Sequence, residues 1–143
     1  MARIPGPTLE QLNILVGSWE TTIPSAGTQG RTTFEWLEGG GFLIQRSTVA
    51  RPEYPNAVSV IGATGSDRAF QQHYFDSRGV ARIYDMTLRD NVWTLFRDGP
   101  DWPQRFVGHI SPDGDTITAR LERGTYPGGP LEHDFDMVYS RIH

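Results

Sequence analysis

The sequence predicts an all-β protein, a single up-and-down antiparallel β-barrel of about ten strands with a short helix at one end. Short stretches rich in β-branched and aromatic residues recur about every ten residues, and Gly, Pro, Asn and Asp cluster between them. This spacing is typical of antiparallel folds and not of alternating strands and helices. Consecutive hairpins favour a meander, and closing the meander into a barrel removes its exposed edges.

Residues 8–16 form the predicted helix, because Leu9, Leu12 and Leu15 make an apolar stripe at helical spacing. Gly17 is placed to supply a left-handed C-cap. No linker or repeat divides the chain, so residues 1–143 are predicted to be one domain, with the β-meander over 17–142. The predicted strands span 17–24, 30–37, 42–49, 57–63, 69–76, 80–88, 92–97, 104–110, 115–122 and 132–142.

Composition narrows the classes of function. The net charge of −4 and the absence of a basic stripe argue against nucleic acid as a partner. No apolar run reaches the length of a membrane span, and the start "MARIPGPTLEQ" has no apolar signal segment, so we expect a cytoplasmic protein. The absence of cysteine excludes disulfides and thiolate ligands, and the absence of lysine excludes Schiff-base chemistry. The sequence leaves a homodimer open.

The segments "LVGSWE", "GGGFLIQR", "QHYFDSRGV", "NVWTLFRD", "GDTITA" and "EHDFDMVYSR" resemble the calycin superfamily, and within it a lipocalin-like bacterial family of uncharacterised function. The resemblance implies that Trp19 follows a Gly at the start of the first strand and packs at the closed end against Arg141. A cation–π contact of this kind contributes about 0.5–2 kcal/mol. Nitrobindin-like haem barrels are a more distant match. They hold haem through a His on the final strand, where His133 lies here, although its spacing to Tyr139 differs from theirs.

Alternation along the strands predicts which side chains face the interior. In the final strand, His133 and Tyr139 belong to the aromatic, inward set. A tight turn at Ser77–Gly79 would place His73 and Phe75 on the same wall as Arg82, with Asp76 and Asp85 on the other. A His–Asp relay is then split by the pleat, which weakens a serine-hydrolase interpretation. The predicted lining is Trp36, His73, Phe75, Arg82, Tyr84, Met86, Trp93, Arg97, His133 and Tyr139.

Two facing assignments stay open. The "EGGG" turn leaves it undecided whether Glu35 or Trp36 faces inward, and we favour Trp36. The "SPDGD" turn leaves His109 undecided, because apolar spacing and turn type give opposite registers.

We expect this barrel to bind a small, largely apolar molecule with an anionic or phenolic head, because inward arginines need partners. Fatty-acid-binding relatives capture carboxylates with an Arg and a Tyr, and Tyr139 with Arg82 or Arg97 could act in the same way. The first alternative is a cofactor-independent isomerase, cyclase or dehydratase that uses His73 and Tyr84 for proton transfer. A haem-binding barrel and a barrel filled by side chains are further alternatives. No cofactor or metal site is otherwise expected, because the sequence contains no His-x-His or HExxH spacing.

Overall fold

The computed structural model describes residues 7–65 and 69–143, which form an all-β barrel. Helix α1 (Pro7–Glu10) continues directly into a 3-10 helix over Gln11–Leu15, and a second 3-10 turn covers Pro24–Ala26. Within the described residues there are ten strands: β1 (Gly17–Ile23), β2 (Thr28–Trp36), β3 (Leu43–Val49), β4 (Ala57–Ala63), β5 (Ala69–Asp76), β6 (Ala81–Arg89), β7 (Val92–Arg97), β8 (Gln104–Ile110), β9 (Thr116–Arg123) and β10 (Glu132–Ile142).

The strands follow one another around a closed barrel in chain order, and β1 completes it by pairing with β10. All neighbours are antiparallel, so the hairpins alternate between two ends of the barrel. One end, the helix end, lies beneath the N-terminal helices. The other, the far end, carries loops 50–56, 77–80, 98–103 and 124–131. The predicted fold is confirmed, and no predicted strand boundary differs from the observed one by more than two residues.

The helix end holds a dry core. Leu12 and Leu15 of the 3-10 helix are fully buried and pack with side chains from the inner faces of the strands. Full burial of such side chains contributes roughly 1.5–3 kcal/mol each. The largest fully buried side chains among the strands are Trp19, Phe34, Leu43, Ile61, Phe70, Met86, Trp93 and Ile117.

Arg141 closes this end of the barrel. Its guanidinium carbon lies 4.1 Å from the centroid of the Trp19 ring, the contact that the sequence led us to expect. Its Nη1 and Nη2 atoms donate to the carbonyl oxygens of Val16 and Ile14, each at 2.7 Å, and its Nε donates to the carbonyl of Gly114 at 3.1 Å. One side chain therefore ties the last strand to the helix, to the first strand and to the β8–β9 turn.

The helix differs from the prediction in two respects. Only Pro7–Glu10 is α-helical and the remainder is 3-10 helix, which suits a segment of barely two turns. Gly17 does not cap the helix but opens β1 with φ +131°, and a Cβ there would meet Arg141 Nη1 at 2.8 Å. Glycine is needed at this position for the approach of the guanidinium. Among the described residues, no helix is long and apolar enough to cross a membrane.

Two facings that the sequence left open are now assigned. Trp36 pairs with the buried Leu43 and packs against the core, whereas Glu35 faces outward and ion-pairs with Arg46. At the β8–β9 turn, Ile110 pairs with Ile117 inside the barrel, so His109 faces outward. The inward facing of Trp36 was predicted correctly, and in the β8–β9 hairpin the register is the one that apolar spacing predicted.

Replacing Arg141 with Met should lower the free energy of unfolding by about 3 kcal/mol, because three backbone carbonyls lose a charged donor. Urea denaturation measures this loss. The matched control is Arg31→Met, at an exposed arginine on the outer face of β2, which should change stability by no more than about 0.5 kcal/mol. Equal effects of the two substitutions would contradict the closing role of Arg141.

Candidate functional site

A cavity of about 280 Å³ lies inside the barrel toward the far end, away from the dry core. Its polar and apolar lining residues come from different strands. The inner faces of β3, β4 and β5 contribute Gln45, Ser59 and Gln72. The other side is apolar, with lining residues from β7 to β10: Trp93, Leu95, Phe106, Leu121, Phe135 and Met137. The volume is close to the lower end of the range for ligand sites, so the cavity suits one small molecule.

Arginines gather at the far end of this cavity. Arg82 lines the cavity, and Arg97 and Arg123 lie on neighbouring strands, each paired in register with Gln104 of β8. The ring of Trp102, from the loop between β7 and β8, lies among them. The guanidinium carbons of Arg82, Arg97 and Arg123 are 4.9, 4.5 and 4.3 Å from its centroid. We call these four residues the arginine cluster.

The arginine cluster lacks compensating acids. Within residues 7–65 and 69–143, no carboxylate lies within ion-pair distance of Arg82, Arg97 or Arg123. Glu35 is engaged by Arg46 on the outer surface. Three positive charges therefore lie around Trp102, and that of Arg82 faces the cavity.

Arg97 is the most deeply placed member of the cluster. Its side chain is 5% exposed, Nη1 donates to the carbonyl of Gly99 at 3.2 Å, and Nε and Nη2 have no hydrogen-bond partner in the described chain. Nε and Nη2 form one edge of the guanidinium, the edge that pairs with two oxygens of a carboxylate or phosphate. The face of the group lies against Trp102, and this edge is buried beside the cavity.

Tyrosines complete the far end as hydrogen-bond donors. The Tyr84 hydroxyl donates to Gln104 Oε1 at 2.5 Å, and the Tyr74 hydroxyl donates to Asp76 Oδ2 at 2.8 Å. Burial, reinforced by the bond to Asp76, raises the pKa of Tyr74, and burial alone raises the pKa of Tyr139. Both phenols are therefore protonated at neutral pH and act as donors, not as bases.

Four of the residues predicted to line the site do line the cavity: Arg82, Tyr84, Trp93 and Tyr139. Arg97 faces inward beside it, in the arginine cluster. Met86 is buried in the dry core. Trp36 also faces the core, but at the helix end, where its Nε1 donates to Asn13 Oδ1 at 2.8 Å.

The predictions that His73 and Phe75 face inward are wrong. The predicted turn placed Asp76 opposite Gly79 and His73 opposite Arg82. In the structure the Asp76 N–H donates to the Val80 carbonyl at 3.0 Å and Gly79 adopts φ +83°, so the turn holds one residue more and β5 turns its other face inward. His73 pairs with the exposed Ile83 and contacts Gln71 Oε1 at 3.2 Å, and Phe75 is 48% exposed. Gln72 and Tyr74 occupy the wall instead, and Asp76, predicted on the outer wall, shares their side of the strand.

His133 also faces outward, contrary to the prediction. A β-bulge between His133 and Phe135 shifts the register of β10 against β9, so alternation counted back from Tyr139 fails beyond Phe135. His133 Nε2 lies 2.9 Å from Asp136 Oδ1 at the surface. None of the four histidines lines the cavity, and no three acidic or histidine side chains of the described residues converge as metal ligands.

Sequence reasoning missed Ser59, Gln72, Tyr74 and Trp102. The first three follow from the corrected register of β5 and its pairing with β4. Trp102 lies in the "DGPDWP" loop, where no periodicity assigns a face. The signal available for it was a large aromatic residue within a polar turn, which seldom remains without a packing partner.

Fold and cavity together define a closed ten-stranded antiparallel barrel with a small internal cavity. No protein-family model matches the sequence, and no curated protein matches it. Among solved structures, the chain is similar to one described as "Crystal Structure of Rv2717c from M. tuberculosis", with a TM-score of 0.66 and 16% identity over 98% of this chain and 100% of that chain. At this identity the likeness shows the fold alone, which agrees at a coarse level with a calycin-like barrel.

Asp76→Asn should destabilise the protein by about 1–2 kcal/mol at pH 7, because the carboxylate accepts hydrogen bonds from both Arg78 and Tyr74. These bonds, first that from Arg78, lower the pKa of Asp76 in the folded state. The stabilisation is therefore complete above the unfolded pKa of about 3.9 and is lost as pH falls below it.

Urea denaturation of wild type and Asp76→Asn at several pH values measures this difference, which should shrink below about pH 4. Asp85→Asn, at an exposed aspartate on the outer face of β6, is the matched control and should show no such trend. A difference that stays constant with pH would contradict the role of Asp76.

Hemin added to the protein should give the same Soret band with wild type and with His133→Ala, because His133 lies outside the barrel and bonds to Asp136. Absorption titration measures this. A Soret shift seen in wild type and absent from His133→Ala would restore the haem-barrel hypothesis.

Proposed function

We propose that this protein is a lipocalin-like binding protein for a small, largely apolar molecule with an anionic or phenolic head. The observation that carries the proposal is the arginine cluster. It lies at the far end of an otherwise largely apolar cavity and includes one arginine that lines it, without a described carboxylate partner.

The body of the ligand lies against the apolar wall. Trp93 and Phe106 have ring centroids 4.6 Å apart, and Tyr139 meets both rings edge-on. Such a wall offers flat and edge contacts that suit an aromatic or short aliphatic body. Removing that apolar surface from water supplies the main favourable term for binding.

The head of the ligand lies toward Arg82. A carboxylate or phenolate there accepts charge-assisted hydrogen bonds from the guanidinium, which are roughly twice as strong as neutral ones. The buried Arg97 and the exposed Arg123 add positive charge around Trp102. The arginine cluster therefore selects for negative charge.

Binding accounts for the cavity better than catalysis does. The described lining contains no histidine, aspartate or glutamate, so the proton transfer assigned to His73 has no base in the cavity. Burial raises the pKa of Tyr74 and of Tyr139, so these two phenols are protonated. No feature of the described cavity favours the isomerase, cyclase or dehydratase alternative.

The test compares 2-naphthoate, 2-naphthol and the neutral 2-methylnaphthalene, with affinities measured by NMR titration. Wild type should bind the naphthoate most tightly, and Arg82→Gln should weaken it at least tenfold, because a charged hydrogen bond is lost. The neutral compound should bind both proteins alike.

Arg31→Gln, at an exposed arginine outside the barrel, is the matched control and should leave all three affinities unchanged. No binding of any of the three probes, or equal naphthoate affinity in wild type and Arg82→Gln, would overturn the proposed function.

A further inference from the structure

The cavity has a polar wall that the proposed function does not use. Gln45 and Ser59 are register partners on β3 and β4, and Gln72 follows on β5. In the closed strand order, β4 lies five strands from β9 in either direction, so this wall is opposite the apolar wall. The cavity is therefore polar along one side over its length, separately from the arginine cluster at its end.

Two side-chain amide oxygens of the polar wall lack hydrogen-bond partners among the described residues. Gln45 Oε1 and Gln72 Oε1 are buried without a hydrogen-bond partner among the described residues, and Gln72 is 4% exposed. Trp93 also lines the cavity, and its indole N–H is likewise buried without a hydrogen-bond partner among the described residues. Buried polar atoms are nearly always hydrogen-bonded, and leaving one unpaired costs about 1–3 kcal/mol.

No hydrogen bond within the described residues joins these amide oxygens to their neighbours. Beside Gln45 lie its register partner Ser59 and, on the same strand, Ser47, whose hydroxyl bonds to Thr32 at 3.0 Å. Beside Gln72 on β5 lies Tyr74, whose hydroxyl donates to Asp76 at 2.8 Å. The amide oxygens are covered in the empty cavity, but the terminal torsion of a glutamine is broad, so a modest rotation turns the amide toward a ligand.

We infer that the ligand carries a hydroxyl group on its body, apart from its anionic head, which bonds to the Gln45 and Gln72 amides. A hydroxyl both donates and accepts, so it satisfies a glutamine amide in either orientation and leaves an oxygen lone pair for a donor such as the Trp93 indole. The ligand class is thus a hydroxylated, largely apolar acid. This inference rests on the proposed function, which places the anionic head of the ligand toward Arg82.

The alternative occupant of a polar wall is water. A bridging water needs a roomy polar site and two to four polar partners, and the amide rotation that admits a ligand hydroxyl admits water as well. A site built to bond a hydroxyl also rejects the analogue that lacks one, because its own polar groups are left unpaired. If the polar wall binds a ligand hydroxyl, a hydroxylated probe should bind more tightly than the same probe without the hydroxyl. If the wall binds only water, the two probes should bind alike.

The experiment measures the affinity of 2-naphthoate and of its 5-, 6- and 7-hydroxy derivatives by NMR titration. In wild type, one hydroxylated isomer should bind about tenfold more tightly than 2-naphthoate. In Gln72→Leu and in Gln45→Leu the hydroxylated isomer should bind no more tightly than 2-naphthoate, whatever the affinity for 2-naphthoate itself.

Gln71→Leu is the matched control, because Gln71 is the same residue type one position earlier on β5 and lies outside the cavity lining. It should keep the tenfold gain. Urea denaturation provides a second readout: Gln72→Leu should leave the empty protein as stable as wild type or more stable, since it removes an unpaired buried amide. A purely structural glutamine would instead be destabilised by the change.

The outcomes separate the two proposals. If 2-naphthoate binds in an Arg82-dependent way but no hydroxylated isomer gains affinity, or if the gain survives in both Gln45→Leu and Gln72→Leu, the hydroxyl inference is overturned and the proposed function stands. If none of the four probes binds, both are overturned.

Discussion

The pairing of β1 with β10, fastened by Arg141, is the constraint on which the rest of the structure depends. Once the first and last strands are joined, every strand has two neighbours and each residue is either inside or outside. A slip of one residue anywhere would reverse the facing of a whole strand. Arg141 fixes the register at the joint because its guanidinium bonds to carbonyls of Ile14 and Val16 and lies over Trp19.

That closure divides the interior into two halves with different chemistry. At the helix end, leucines of the 3-10 helix cover the barrel and leave a dry, well-filled core. At the far end lie the loops and the short 3-10 turn Pro24–Ala26, and the inward positions there include Gln45, Gln72, Arg82 and Arg97. Inward polar side chains at this end are compatible with a binding site, while the helix end supplies much of the buried apolar core.

The sequence predicted the barrel and the facing of some residues because the residue types in certain turns determine the turn conformation and hence the strand register. Asp90 and Asn91 adopt φ +51° and +61°, a turn that only a few residue types favour, and the register of β6 against β7 follows from it. Arg82, Tyr84 and Trp93 were therefore placed correctly. The facing of β5 could not be predicted from that of β6 alone. The number of residues in the turn between them determines whether His73 faces inward or outward.

The remaining errors have a different physical origin. The bulge that turns His133 outward depends on how β10 meets β9, and no local pattern in the sequence encodes it. Trp102 lies in a loop, so alternation gives it no face. Its position follows only from the tertiary contact with the arginines. Histidines attract attention in a sequence because of their chemistry, but here the residues that determine the site are glutamines and arginines.

The arginine cluster carries an electrostatic cost, because three positive charges lie around one ring. Cation–π contacts with that ring offset part of this cost, at about 0.5–2 kcal/mol each. A carboxylate from the protein would remove the cost, yet Glu35 and Glu122 are engaged by Arg46 and Arg105 on the outside. Under the proposed function, the anionic head of the ligand meets this charge, and its binding relieves the repulsion as well as forming new bonds.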